Sequence, residues 1–128
     1  MKRLIFFLFA IMSFCASAQE QAYLLIKDND GTYNMFAGGQ LTLEELLNTE
    51  KIVMDSGIGE VVLFNPRRFD TMYNVSPDPI VGNTIPDKIR IEWEKSLNPG
   101  KTIFFTGIRY KDSNGIEQNA NPIEVKIK

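Results

Sequence analysis

The sequence predicts a mainly β fold, a single sandwich-like antiparallel domain with one or two short helices. Three observations predict it. Short apolar runs with strand-like composition recur, among them "AYLLIK", "EVVLFN", "TIFFTGIRY" and "IEVKI". Clusters of Gly, Pro, Asn and Asp separate them at short intervals. Helical spacing of apolar residues is confined to "LTLEELLN" and "DKIRIEWEKSLN".

The chain has 128 residues, and the first eighteen read as a removable segment. Lys2 and Arg3 form a basic start, an apolar run follows from Leu4 to Phe14, and Ala16 and Ala18 frame a cleavage site. The run is shorter than the roughly 20 residues that an ordinary membrane span needs. Cys15 raises the alternative of a lipoprotein signal, but the bulky Phe14 stands where such signals carry a small residue. The expected organisation is therefore a cleavable signal peptide over 1–18 and one β-rich domain over 19–128. Removing 18 of the 128 residues leaves 110, a length that suits one domain with its own core.

Cys15 leaves with the signal, so no disulfide staples the exported chain and burial of apolar surface must hold it. Without Lys2 and Arg3, twelve basic residues face sixteen acidic ones, a net charge of −4. That dispersed, mildly acidic balance gives no electrostatic footprint for nucleic acid or anionic lipid. No later apolar run approaches a membrane span, so no integral membrane segment is expected in the mature chain.

The elements follow in order. Tyr23–Lys27 and Thr32–Phe36 form strands around the turn cluster Asp28-Asn29-Asp30-Gly31, an N-terminal hairpin. Gly38-Gly39 ends it. Thr42 and Glu45 are spaced as a capping box, with Leu43, Leu46 and Leu47 on one face of a helix of about two turns. Too short to stand alone, that helix must dock on a sheet. "KIVMD" and "EVVLFN" read as buried strands around Ser56–Gly59. "RRFDTMYNV" alternates as a further strand, with Pro66 as the boundary before it. Ser76–Asp87 holds three prolines and a glycine without periodicity and reads as a loop. In "DKIRIEWEKSLN", Ile89, Ile91 and Trp93 alternate as in a strand, whereas Ile89, Trp93 and Leu97 have helical spacing. Pro86 and Asp87 suit a helix start, and Pro99-Gly100 a stop. The chain closes with strands over Thr102–Tyr110 and Ile123–Ile127, with Asn114-Gly115 supplying positive-φ residues to the turn.

This last region, "LNPGKTIFFTGIRYKDSNGIEQNANPIEVKIK", resembles the end of the C-terminal periplasmic domain of the gliding-motility and type IX secretion protein GldM. The shared elements are Pro99-Gly100, the core run Ile103–Phe105, Ile108-Arg109, Asn114-Gly115, Pro122 and the final strand Ile123–Ile127. Upstream, "GGQLTLEELLNTEKIVMD" is similar to that family's Gly-Gly, short helix and strand, so the likeness covers most of 37–128. The resemblance implies a β-rich interaction module and tips 87–97 towards a helix. In GldM the module ends a long membrane-anchored shaft; here a cleavable signal precedes one domain. The likeness therefore carries fold and binding habit, not force transmission.

Chemistry has few candidates. The chain has no histidine, which excludes Cys-His and Ser-His-Asp nucleophiles and ordinary zinc sites. No phosphate-binding Gly-rich loop is present. Asp28-Asn29-Asp30-Gly31 resembles a fragment of a calcium loop, but Ile26 and Ala37 would stand at its first and twelfth positions, and neither can ligate. It reads as a turn. Glu92 and Glu94 flank Trp93 on what reads as a solvated face, so no catalytic residue, cofactor or metal is assigned. Arg67-Arg68 reads as an exposed structural pair able to grip a carboxylate or phosphate. Thr71, within "DTM", matches the short O-glycan acceptor pattern of Bacteroidetes secreted proteins. Trp93 is read as a core anchor, or else as a platform for stacking a ligand.

The candidate recognition element is the loop, with Pro77, Asp78, Pro79, Ile80, Val81, Asn83 and Pro86 as its contact residues. Prolines lower the entropy lost when it is ordered against a partner. The functional expectation is a non-catalytic exported interaction module whose partner is an unidentified envelope or secreted protein. The alternatives are a small-ligand or glycan-binding domain using Trp93, and a small secreted protease inhibitor presenting the loop.

Overall fold

The computed structural model describes residues 19–68 and 78–128. The signal pattern, Thr71, Pro77 and the strand expected over 69–75 lie outside the described residues. The chain is mainly β, with nine strands and two short helices among those residues. The strands are β1 (Glu20–Lys27), β2 (Tyr33–Phe36), β3 (Gly39–Leu41), β4 (Thr49–Met54), β5 (Gly59–Arg68), β6 (Ile80–Val81), β7 (Thr102–Asp112), β8 (Glu117–Asn121) and β9 (Ile123–Ile127). The helices are α1 (Leu43–Leu47) and α2 (Asp87–Ser96).

Two groups of strands face a shared core. In the first, β1 is flanked by antiparallel β2 and β4. In the second, β7 is flanked by antiparallel β5 on one edge and by β8 and β9 on the other. Two parallel pairings tie the chain's beginning to its end, Glu20–Gln21 against Ala120–Asn121 and Gly39–Leu41 against Val125–Ile127. The second corner is made by the segment after β6. Ile80 and Val81 pair with Phe64 and Leu63 of β5, and Thr84 bridges Lys51 of β4. The pairings thus run from β1 through β8, β7, β5, β6 and Thr84 to β4, and so back to β1.

The core follows the strand alternation. Ala22, Leu24 and Ile26 of β1 are buried, as are Ile52 and Met54 of β4 and Ile123, Val125 and Ile127 of β9. Phe64, Phe105 and Trp93 are its largest fully buried side chains, Trp93 meeting Phe105 edge-on at 6.0 Å. Burial in β7 changes parity midway, from Ile103 and Phe105 to Ile108 and Tyr110, and along β8 and β9 from Ala120 to Ile123. A regular strand would turn one of each pair of sets outward. Gly107, at φ +58°, interrupts β7 at that level, Pro122 separates β8 from β9, and the β5–β7 register shifts between Val61 and Asn65.

The helix starts behave as their sequences require. Thr42 Oγ1 accepts the Glu45 N–H at 3.1 Å and the Thr42 N–H donates to Glu45 Oε1 at 2.9 Å, completing the capping box. α1 has no basic residue in its last turn, and Arg90 of α2 supplies one by donating to the Leu47 carbonyl at 2.6 Å. The ambiguous stretch is helical from Asp87, with Pro86 as its N-cap residue.

Three local expectations are corrected. Pro66 is no boundary: it is buried inside β5, opposite Phe105. Beyond Phe64 no described strand lies on the far edge of β5, the setting in which a missing N–H costs no ladder bond. The Ser76–Asp87 loop, where described, contains β6 and is bonded to two strands. At the last turn only Gly115 has positive φ, +79°, and Asn114 does not share it. Asp112 explains this: its Oδ1 accepts the Asn114 and Ile116 N–H groups at 2.9 and 3.0 Å and stabilises a longer turn with glycine at its end.

Candidate recognition strap

The described part of the candidate loop is an extended strap. Pro79 precedes it, β-branched Ile80 and Val81 form its two-residue strand, and Gly82, at φ +105°, redirects the chain after them. The Gly82 N–H donates to the Val62 carbonyl at 2.7 Å, and the Asn83 carbonyl accepts the Ile52 N–H at 2.9 Å. Ile85, 2% exposed, anchors the strap's end in the core immediately before Pro86 starts α2. Between these anchors Val81 stands 85% exposed, the most exposed large hydrophobic residue among those described. Asp78 and Pro79 are exposed beside it, Ile80 is half-buried, and Asn83 is spent on β4 through its backbone.

The structure therefore brings Asp78, Pro79, Ile80, Val81, Asn83 and Pro86 into one element, but not Trp93. Trp93 is 2% exposed and packs on Phe105, so neither face of its indole is open to a sugar or other ligand. Its core reading stands and its stacking reading falls. Arg68 lies against the end of α2, donating to Ser96 Oγ at 2.7 Å and to the Ser96 carbonyl at 3.3 Å. The Ser96 hydroxyl in turn donates to the Glu92 carbonyl at 2.9 Å.

Sequence reasoning missed Thr84 and Ile85, the residues that tie the strap down. Pro79 before two β-branched residues and Gly82 after them was the available signal for β6. The partner strand was not legible, because Thr84 meets Lys51 from far along the chain.

The turn carboxylates are engaged in local hydrogen bonds. Asp28 Oδ2 accepts the Asn34 side-chain amide at 2.6 Å, and Asp30 Oδ1 accepts the Thr32 N–H at 3.0 Å and its hydroxyl at 2.7 Å. Those Thr32 bonds lower the Asp30 pKa. The Ile116 N–H, followed by Gln118 and the Asn114 N–H, lowers that of Asp112. Burial, then Asp55, raises Tyr23, and burial raises Tyr110. Among the described residues no group of three or more His, Cys, Asp or Glu side chains is placed to hold a metal ion. Two adjoining depressions of about 380 and 310 Å³ share Lys27, Asp28, Asn29 and Asn48 as a polar wall. No described helix is long and apolar enough to cross a membrane.

No protein-family model matches the chain, and no curated protein matches it.

Proposed function

We propose that the protein is a non-catalytic exported interaction module, comparable in kind to the C-terminal periplasmic domain of GldM, that binds an envelope or secreted protein through its strap. The observation carrying this reading is Val81, a large apolar side chain 85% in solvent on a strap that is paired with β5 at Val81 itself and bonded to β4 two residues on, at Asn83. A preorganised apolar residue binds without the ordering cost of a free loop. Export is supported by the basic, apolar and small-residue sequence over 1–18. The ligand-stacking alternative has lost its support with the burial of Trp93.

Affinity capture from native envelope and secreted fractions, comparing the wild type with Val81→Asp, tests the proposal. We expect one stoichiometric protein with the wild type and at least about a tenfold loss with the variant, the scale of an interface anchor. Thermal unfolding of the variant should be unchanged, because the substituted side chain lies in solvent. No protein recovered by either chain would overturn the module, and recovery indifferent to Val81 would overturn the strap as its contact.

A further inference from the structure

The turns that close β1–β2 and β7–β8 hold the chain's only Asp-Gly pair, Asp30-Gly31, and its only Asn-Gly pair, Asn114-Gly115. Such pairs can close on themselves. The Cγ carbonyl carbon lies within reach of the next main-chain nitrogen, and glycine has no Cβ to obstruct the five-membered ring that results. Of the other nine asparagines, Asn65, Asn98 and Asn121 precede proline, which has no N–H to lose, and the rest precede residues with a Cβ.

The two turns differ in what holds the side chain. Asp30 Oδ1 accepts the Thr32 N–H at 3.0 Å and the Thr32 hydroxyl at 2.7 Å, which turns the carboxylate towards Thr32. Its negative charge also makes it a poor target for a nucleophile. Asn114 stands at the equivalent place, two residues after the turn aspartate, and is held only by its main chain. Its N–H donates to Asp112 Oδ1 at 2.9 Å, while its carboxamide makes no hydrogen bond among the described residues. Asn114 and Gly115 are exposed, and a Cβ added at Gly115 would meet nothing within 4 Å. The attacking nitrogen is restrained by one bond, from the Gly115 N–H to the Asp112 carbonyl at 2.9 Å.

We infer that Asn114 is a site of spontaneous covalent modification in the folded protein, closing onto Gly115 as a succinimide and reopening as aspartyl and isoaspartyl forms. When the Gly115–Asp112 bond opens, hydroxide removes the Gly115 amide proton and the nitrogen attacks Cγ of Asn114. A C–N bond forms, and the side-chain nitrogen takes up a proton and leaves as ammonia. Water then adds to one of the two ring carbonyls. Opening at Cγ restores the ordinary main chain with a carboxylate at position 114. Opening at the main-chain carbon routes the chain through Cβ and Cγ and leaves the α-carboxylate free. Either product sets a second carboxylate beside Asp112. The isoaspartyl form also adds a carbon to the main chain between the N–H groups of Asn114 and Ile116, both of which Asp112 Oδ1 accepts. The rung of Lys111 with Glu117 should therefore loosen, while the pairing of β7 with β9 stays.

Incubation of the purified chain in warm, mildly alkaline water enriched in heavy oxygen, followed by peptide mass spectrometry that separates isoaspartate from aspartate, tests the site. Asn114 should lose ammonia and take up one heavy oxygen, in both isomeric forms, before any other asparagine or Asp30 changes. Its reaction should be at most about a hundredfold slower than in a synthetic peptide of the sequence Lys111–Glu117, because only local opening is needed. A slower reaction, or another asparagine reacting first, would overturn the site. Asp30→Asn places the same dipeptide in the first turn, where Thr32 still donates to it. That side chain should react at least about tenfold more slowly than Asn114 of the same molecule, since two hydrogen bonds hold it. Equal rates would overturn the account of why the second turn is the reactive one. In the modified chain the Glu117 amide should exchange faster and the β9 amides as before; unchanged exchange at Glu117 would overturn the loosening.

Discussion

The hairpins β1–β2 and β7–β8 turn on nearly the same backbone and differ in almost everything that flanks it. In each, an aspartate N–H donates four residues on, Asp28 to Thr32 at 2.7 Å and Asp112 to Ile116 at 2.9 Å. In each, a glycine three residues after that aspartate donates back to it with φ near +90° or +79°. Even the amide side chain six residues on is shared: Asn34 donates to Asp28 Oδ2, and Gln118 to Asp112 Oδ2. The arms diverge. β2 exposes Tyr33 and Met35, its tyrosine held by Glu50 at 3.1 Å and beneath Lys27 at 6.0 Å. β7 runs through the core with neighbours on both edges. Turn chemistry therefore selects where the chain reverses, and burial decides how much the reversal matters to stability.

The largest effect should come from Ile108→Asp, which places a carboxylate at a position 1% exposed in β7. We expect a loss of about 4 kcal/mol or more, enough to unfold a domain of ordinary stability. Met35→Asp on β2, nearly half exposed, should change the thermal midpoint little. A substantial loss from Met35→Asp would break the contrast. Gly59→Ala should follow at about 2–3 kcal/mol by chemical denaturation. Its φ is +153°, and an added Cβ would run into the Lys111 carbonyl oxygen, which belongs to the second hairpin. Near-wild-type stability of that variant would show that β5 can shift away from β7.

Gly31→Ala and Gly115→Ala sharpen the comparison. Both glycines have positive φ and open space around them, so each substitution costs about 1–2 kcal/mol of backbone strain. The Gly115 variant should pay it in global stability, whereas the Gly31 variant should show mainly faster amide exchange in β2. The smallest effect is acid sensitivity. Asp30 and Asp112 have lowered folded pKa values, so their contributions are present above the ordinary aspartate value of 3.8 and disappear as pH falls through the folded values. Carboxyl chemical shifts should titrate below 3.8 in both turns, with loss of Thr32 and Ile116 amide protection alongside. Titration at or above the ordinary value would contradict the hydrogen bonding described for the turns.

What was legible in the sequence was what short spans determine. The capping box needs only Thr42 and Glu45, and alternation placed Ile123, Val125 and Ile127 on one face. The helix over Asp87–Ser96 was ambiguous by periodicity, and Pro86 with Asp87 pointed the right way. The candidate strap was found as a stretch without pattern, and its described residues, from Asp78 on, form one strap. Its two-sided attachment was hidden, because Asn83 and Thr84 bond to β4 through backbone groups that every residue carries. Pro66 misled because a proline ends a strand only where its missing N–H faces a neighbour, and neighbours are a tertiary fact.

The parity change in the second strand group also bears on how the chain assembles. Residue pairing across β7 is the same on both sides of the break, Arg109 with Asn119 and Phe105 with Ile123, so the parity changes in the two arms, between Phe105 and Ile108 and between Ala120 and Ile123, fall at the same level of the hairpin. They behave like the notch of a key. If the arms zipped together one residue out of step, the two parity changes would no longer coincide and the apolar side chains of one arm would turn to the face opposite those of the other. Only one alignment closes both halves. A mispaired hairpin in a folding chain would hold few bonds and come apart, leaving the arms free to find the alignment that the domain is built around.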